Sequence, residues 1–256
     1  MLDMKCSNLH NPARSLELFR ERFKMRPILS AALMLCTAAS SFAAVYDVQA
    51  DFSNSDNPNG TWGYMVGNSF LLHSNSPNPN ALNPVLTNGF WGTSPDYNSS
   101  IMQATGNGSG ASGYTDSDFL AGDVLVHSTN PGTGDPSRIV WTAPEAGEID
   151  YDFSIWYAHS PITRSNTYML KLNGTPLETG VLLPIDNRPN AHTYSDTDIS
   201  VLAGDILEIE IVPTIGQNFG SLAGVGFVVD FTGIPEPTTL SVLAAGAVVC
   251  LRRRRA

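Results

Sequence analysis

Alternation of apolar and polar residues is the feature that most limits how this 256-residue chain can fold. In the segment 148–157, every second residue from Ile149 to Ile155 is apolar, and the residues between them are acidic or Ser. The segment 206–212 repeats this pattern, and 223–231 supplies a further apolar row. A period of two places such a row on one face of a half-buried strand, whereas a helix repeats its apolar stripe every three or four residues. The pattern therefore predicts strands.

Turn signals separate the other predicted strands. Asn173-Gly174 lies between two β-type runs and predicts a hairpin. Residues 51–118 are rich in Asn, Ser, Gly, Asp and Pro, which predicts short strands joined by long loops. No helical stripe of useful length interrupts the series, so we expect an all-β fold built as a single antiparallel β-sandwich. The remaining predicted strands are 123–126, 138–141, 168–172, 175–183 and 199–202.

The N-terminal part of the chain has the layout of a secretory signal peptide. The segment 25–43 combines a basic start, a mostly apolar middle and small residues at the −3 and −1 positions. We predict cleavage between Ala43 and Ala44, after a signal helix. Met25 is interpreted as the true start, and the alternative is a genuine long extension covering all of 1–43.

The C-terminal segment 234–256 has three parts in a fixed order. A Pro-Glu-Pro hinge is followed by the apolar run 240–251 and then by four arginines, which the positive-inside rule would keep in the cytoplasm. Twelve residues make a helix of about 18 Å, against a hydrocarbon core of about 30 Å. We therefore expect transient rather than lasting membrane insertion. The motif residues are Pro235, Glu236, Pro237, Arg252, Arg253, Arg254 and Arg255.

This C-terminal order resembles the PEP-CTERM sorting signal, which is also catalogued as an ice-binding-protein C-terminal domain. The resemblance implies an exosortase-type sorting protease as a partner, export to the cell surface or the extracellular matrix, and co-occurrence with exopolysaccharide. The domain 44–233 also resembles exported bacterial β-sandwiches that carry this kind of tail, through Asp51-Phe52-Ser53 and the segments 57–62 and 138–147. That second resemblance implies a jelly-roll-like, carbohydrate-binding-like fold.

The predicted mature domain 44–233 is strongly acidic and has no cysteine. It holds 20 Asp and Glu against four Lys and Arg, a formal charge of −16. Nucleic-acid binding is excluded because it depends on cationic contacts to phosphates. All three cysteines, Cys6, Cys36 and Cys250, lie outside this domain, so no disulfide framework is expected.

Motifs for catalysis are missing from the sequence. There is no Gly-x-Ser-x-Gly elbow and no His-Glu-x-x-His. We predict that His127, at the end of a strand, binds nearby backbone. The acid pairs Asp150/Asp152 and Glu208/Glu210 each share one strand face opposite an apolar row, and we interpret both as solvated faces.

Two ligand sites can be proposed from the residues. Asp116, Asp118 and Asp123 surround a loop and a strand start, and such oxygen-rich loops suit calcium, with turn capping as the alternative. Three tryptophans could offer flat apolar faces to sugar rings, with core packing as the alternative, and alternation places Trp156 on the polar face of its strand. The candidate sugar-stacking residues are Trp62, Trp91 and Trp156.

Two functions remain open at this level. The first is an exported, non-catalytic matrix protein with a structural or glycan-binding role. The second is a polysaccharide hydrolase or lyase on a jelly-roll scaffold. Two carboxylates converging in a groove would favour the enzyme, because glycoside hydrolysis uses such a pair.

Overall fold

A computed structural model describes residues 42–74, 90–92, 99–108, 117–129, 134–159 and 163–234. Within them, Phe42–Ile234 forms one compact unit. Apart from Phe42, Ala43 and Ile234, the predicted signal peptide and the predicted sorting tail lie outside the described residues. Among the described residues, no helix is both long enough and apolar enough to cross a bilayer.

The described residues form two antiparallel sheets and one 3₁₀ turn, Arg188–Asn190. The larger sheet has the strand order β12-β9-β14-β7-β6-β5-β4, with β1 also paired to β14, and the smaller sheet has the order β11-β10-β13-β8-β2-β3. The strands are β1 Ala43–Asp47, β2 Trp62–Val66, β3 Ser69–Phe70, β4 Leu72–Ser74, β5 Phe90–Gly92, β6 Ser100–Gln103, β7 Val124–His127, β8 Ser137–Thr142, β9 Gly147–Tyr157, β10 Asn166–Leu172, β11 Thr175–Leu182, β12 His192–Val201, β13 Ile206–Pro213 and β14 Leu222–Gly233.

This architecture confirms the prediction of an all-β sandwich of antiparallel sheets. The alternating segments 148–157, 206–212 and 223–231 are β9, β13 and β14. The predicted hairpin joins β10 to β11, where Asn173 and Gly174 both have positive φ, 50° and 76°, as a two-residue turn between twisted strands requires. The predicted strand 199–202 is wrong in extent, because β12 already begins at His192 and a bulge between Asp196 and Ile199 interrupts its pairing.

The core lies between the two sheets and is rich in aromatic rings. Phe227 of β14 contacts Trp62 and Phe153 edge-on, with ring centroids 5.5 and 5.6 Å apart. Such contacts add about 0.5–1.5 kcal/mol each beyond area burial. The domain has no disulfide to restrain it, so this packing is what holds the sheets together.

β14 is central to the larger sheet. It pairs with β9 along its whole length on one side, and with β7 and then β1 on the other. The predicted cleavage bond, between Ala43 and Ala44, lies at the first residues of β1. The backbone N–H of Gly233 donates to the carbonyl of Phe42 at 2.6 Å, so the two ends of the compact unit meet.

Candidate ligand-binding groove

An open groove of about 340 Å³ lies on the outer face of the larger sheet. β9 forms its middle, with β12 on one side and β14 on the other. The volume lies at the lower end of the range for small-molecule sites, about 300–1,000 Å³. Its lining residues are Asp152, Phe153, Ser154, Thr193, Tyr194, Ser195, Gly226 and Val228.

Strand alternation decides which of these groups face solvent. The rings of Phe153 and Tyr194 are stacked with centroids 6.3 Å apart and pack with the core between the sheets. The polar residues next to them along β9 and β12 therefore point outward. These are Asp152, Ser154, Thr193 and Ser195. At Gly226 there is no side chain above the sheet, and a Cβ there would lie 2.5 Å from Ser154 Oγ. The missing side chain keeps the groove open.

Acidic residues lie beside the groove on the outer face of the larger sheet. Asp150 and Asp152 are exposed, which confirms the prediction of a solvated face for this pair. Glu148 and Asp230 are exposed too, and the register pairs Asp230 with Asp150. The backbone N–H of Asp198 donates to Asp150 Oδ1 at 2.8 Å. Among the described residues, no Lys or Arg lines the groove.

The prediction of a solvated face for Glu208 and Glu210 is wrong. Glu208 is only 3% exposed, because Arg138 from the neighbouring strand lies against it as an ion pair, and the side chain of Glu210 is only 13% exposed. Arg138 also approaches Glu210 at 3.6 Å, and Lys171 Nζ lies 2.5 Å from the other oxygen of Glu210. A ladder of alternating charges thus runs across β8, β13 and β10 on the outer face of the smaller sheet.

The predicted sugar-stacking platform is not exposed in this structure. Trp62, Trp91 and Trp156 are 1%, 4% and 3% exposed, so none offers a free ring face. Trp62 and Trp91 belong to the core between the sheets. Trp156 does lie on the outer face, as alternation predicts, but a second apolar cluster that includes Phe119 buries it there.

Arg188 closes the surface above Trp156. Its guanidinium carbon lies 4.2 Å from the centroid of the indole ring. The same guanidinium pairs with Asp123, and Arg188 Nε lies 3.5 Å from Asp118 Oδ1. Trp156 Nε1 donates to the backbone carbonyl of Asp118 at 2.8 Å. This cluster was missed at the level of sequence, although Arg188 is one of only four basic residues in 44–233.

The predicted calcium residues are therefore divided. Asp116 lies outside the described residues, and the carboxylates of Asp118 and Asp123 both face Arg188. Asp123 also accepts from the backbone N–H of Leu120 at 2.6 Å, as a turn-capping carboxylate does. Within the described ranges, no group of three or more His, Cys, Asp or Glu is arranged to hold a metal ion.

A partly buried hydrogen-bond chain was also missed. Tyr168 Oη lies 2.6 Å from His192 Nδ1 and 2.7 Å from Tyr194 Oη, and His192 Nε2 lies 3.5 Å from Asp186. Burial, followed by the hydrogen bond with Tyr194, raises the pKa of Tyr168 far above its ordinary value. The chain links β10 to β12 and so joins the two sheets. His127 behaves as predicted, with Nδ1 2.8 Å from the carbonyl of Ser128.

Comparisons with known proteins do not assign a family. No protein-family model matches the chain, and no curated protein matches it. The chain overlaps the K3 adhesin domain of Lys-gingipain from Porphyromonas gingivalis at TM-score 0.33 and 11% identity, over 76% of this chain and 100% of that one. A family 35 carbohydrate binding module from Clostridium thermocellum overlaps at 0.28 and 17%, over 54% and 94%. Latent PorU from Porphyromonas gingivalis overlaps at 0.30 and 9%, over 47% of this chain and only 12% of that one.

Proposed function

We propose that this protein is an exported, non-catalytic β-sandwich that binds uncharged saccharides in the groove between β12, β9 and β14. The groove is the observation that carries this proposal. It is open, polar and set on three hydrogen-bonded strands, which fix the positions of its side chains. In this proposal the scaffold is jelly-roll-like, and the groove is its binding face.

The chemistry of the lining suits a sugar. Asp152 presents two carboxylate oxygens, and a carboxylate can accept hydrogen bonds from two neighbouring hydroxyl groups of a sugar ring. The hydroxyl groups of Ser154, Thr193 and Ser195 can each donate a hydrogen bond as well as accept one. Because the side chains stand on paired strands rather than on a loop, little conformational entropy is lost when a ligand binds.

The charge distribution favours an uncharged ligand over an anionic one. Every cation of 44–233 is engaged away from the groove lining. Arg138 and Lys171 lie in the ladder on the smaller sheet, Arg188 pairs with Asp118 and Asp123, and Arg164 donates to Gly220 and lies over Phe219. A uronate or sulfate group would meet Asp152 without a cationic partner, which costs binding energy.

A hydrolase or lyase receives less support. Asp152 is the only carboxylate among the described residues that line the groove. The next acid on that face, Asp150, accepts from a backbone N–H of β12. The two-carboxylate arrangement that glycoside hydrolysis requires is therefore not supported.

Export and sorting complete the proposal. The signal peptide would deliver the chain across the membrane, and the Pro235-Glu236-Pro237 tail would present it to an exosortase-type protease during transient membrane insertion. The domain would then stay at the cell surface or in the matrix with exopolysaccharide. Mass spectrometry of the exported chain should find Ala44 at its start and an end near Pro235, and an intact Met1–Ala256 chain would contradict this part.

The groove is tested by affinity electrophoresis of the exported chain in gels containing neutral or uronate polysaccharides. We expect retardation only by neutral polymers. Asp152→Asn should weaken binding about tenfold, because a charge-assisted hydrogen bond is worth about 1.5–3 kcal/mol. Asp230→Asn is the matched control, since it removes the same charge from the same face outside the groove. Equal losses in both variants, or no retardation by any polymer, would contradict the proposal.

A further inference from the structure

The outer face of β9 and β14 continues beyond the end of the groove. On β9, Ser154 and Trp156 are two residues apart and share the outer face. On β14, Gly226 and Gly224 do the same, and the register pairs Gly226 with Ser154 and Gly224 with Trp156. The indole lies across Gly224, where a Cβ would be 2.1 Å from Trp156 Cε2. An aromatic ring therefore lies directly in line with the polar groove.

The indole is fixed in place, and the side chain of Arg188 lies over one of its faces. Trp156 Nε1 donates to the carbonyl of Asp118, which holds the edge of the ring. Arg188 lies over the ring at 4.2 Å, where its delocalised cation meets the negative face of the π system. The same flat, electron-rich face suits the C–H groups of a sugar ring.

The backbone and the guanidinium of Arg188 are held by different contacts. Its backbone N–H donates to Asp118 Oδ2 at 2.5 Å, which holds the 3₁₀ turn in place. Its side chain remains 33% exposed beside Asp118 and Asp123. A cation–π contact with this much exposure to water is weak, whereas the Asp123 side chain, only 9% exposed, holds its ion pair with the guanidinium. The guanidinium can therefore leave the ring while the turn and its backbone hydrogen bond stay in place.

We propose that Arg188 is a displaceable cover and that Trp156 is a second, aromatic saccharide subsite at the end of the groove. This inference rests on the proposed function, because the same saccharide would occupy both subsites. A sugar unit beyond the polar groove displaces the guanidinium and stacks on the indole. Asp118 and Asp123 then retain the displaced cation through their carboxylates, so no charge is left unpaired.

The test compares Arg188→Ala with Arg164→Ala, since Arg164 also lies over an aromatic ring, that of Phe219, at 4.9 Å. The probes are cellohexaose, xylohexaose and mannohexaose. An increase in acrylamide quenching of tryptophan fluorescence over the wild type reports on Trp156, because Arg188 lies over this ring and the other tryptophans of 44–233, Trp62, Trp91 and Trp141, are buried in the core between the sheets. Arg188→Ala should increase quenching and tighten Kd about two- to fivefold, since it removes a cation–π competitor. Arg164→Ala should change neither.

Two results would overturn the inference. Unchanged quenching in Arg188→Ala would show that the side chain is not the cover, and increased quenching with an unchanged or weaker Kd would show that Trp156 binds no sugar. Should Arg188→Ala fail to fold, Arg188→Lys replaces it, because an ammonium keeps the positive charge beside Asp118 and Asp123 but lacks the flat guanidinium that lies over the indole. Higher quenching with tighter binding supports the inference in that variant, and any other result contradicts it.

The outcomes also separate this inference from the proposed function. If the wild type binds a hexaose and Arg188→Ala does not bind it more tightly, only the aromatic subsite is lost. If no hexaose or neutral polymer binds either protein, the proposed function itself is wrong.

Discussion

The outer faces of the two sheets carry the same kind of sequence pattern and differ in structure. On β13 of the smaller sheet, Glu208 and Glu210 alternate with apolar residues, and Arg138 and Lys171 from neighbouring strands neutralise them. On β9 of the larger sheet, Asp150 and Asp152 alternate in the same way and are exposed. One face is therefore a closed ion-pair ladder, and the other is an open acidic surface beside a groove.

The difference shows that two acidic residues spaced two apart on a strand can be either solvent-exposed or ion-paired. Their environment depends on what the adjacent strands place opposite them. β8 and β10 bring cations next to β13, whereas β12 and β14 bring Ser195 and Val228 next to Asp152. With four cations against 20 acids, the domain can neutralise only a few sites, and the unneutralised face remains available for a ligand.

The largest effect is expected from breaking the ladder at its most buried pair. Arg138→Met leaves Glu208 buried without its cation, and removing one partner of a buried pair costs about 3–5 kcal/mol. Urea unfolding of the variant measures this loss. Arg164→Met should cost far less, because Arg164 donates to the backbone carbonyl of Gly220 rather than to a buried carboxylate. Equal losses in the two variants would mean that Glu208 does not depend on Arg138.

A smaller loss is expected at the middle of the ladder. Glu210→Gln keeps the shape of the side chain but removes the charge that Arg138 and Lys171 share, and charge-assisted hydrogen bonds contribute about 1.5–3 kcal/mol. The same urea titration reports the change. Glu178→Gln on β11 is a charge-matched control outside the ladder, and we expect it to be nearly neutral. A neutral Glu210→Gln would show that the ladder adds nothing beyond the Arg138–Glu208 pair.

The smallest effect is expected on the open face. Asp150→Asn with Asp230→Asn removes two exposed charges that face each other across β9 and β14, and exposed substitutions usually change stability by less than about 0.5 kcal/mol. We expect a slight gain, because like charges on paired residues repel each other. The gain should shrink in about 0.5 M NaCl, where screening already relieves the repulsion. A clear loss of stability would show that this face is held together by its acids.

Sequence reasoning predicted the fold better than the site. The strands β9, β13 and β14 and the turn at Asn173-Gly174 follow from patterns within ten or so residues, and local patterns of that kind survive in the tertiary structure. The solvated state of Asp150 and Asp152 followed from the same alternation. Arg188 could not be assigned a role in this way, because its partners Trp156, Asp118 and Asp123 lie 32 to 70 positions away.

The tryptophans also show that strand alternation predicts the face of a side chain but not its exposure to solvent. Alternation correctly placed Trp156 on the outer face of β9, yet that face is not solvent everywhere. At the end near Trp156 a second apolar cluster with Phe119 and Leu125 covers the sheet. At the end near Asp152 nothing in the described residues covers it, and the groove remains.

The sequence by itself determined the strand periodicity, the two-sided character of the sheets and the excess of acid over base, because each depends only on residue order and composition. The tertiary structure alone decided which acids meet cations, which aromatic rings are covered and where the sheet leaves an open groove. Those outcomes depend on strand order and register, which bring distant residues together. The contrast between Glu208, buried beneath Arg138, and Asp152, exposed at the groove, is the result of that pairing.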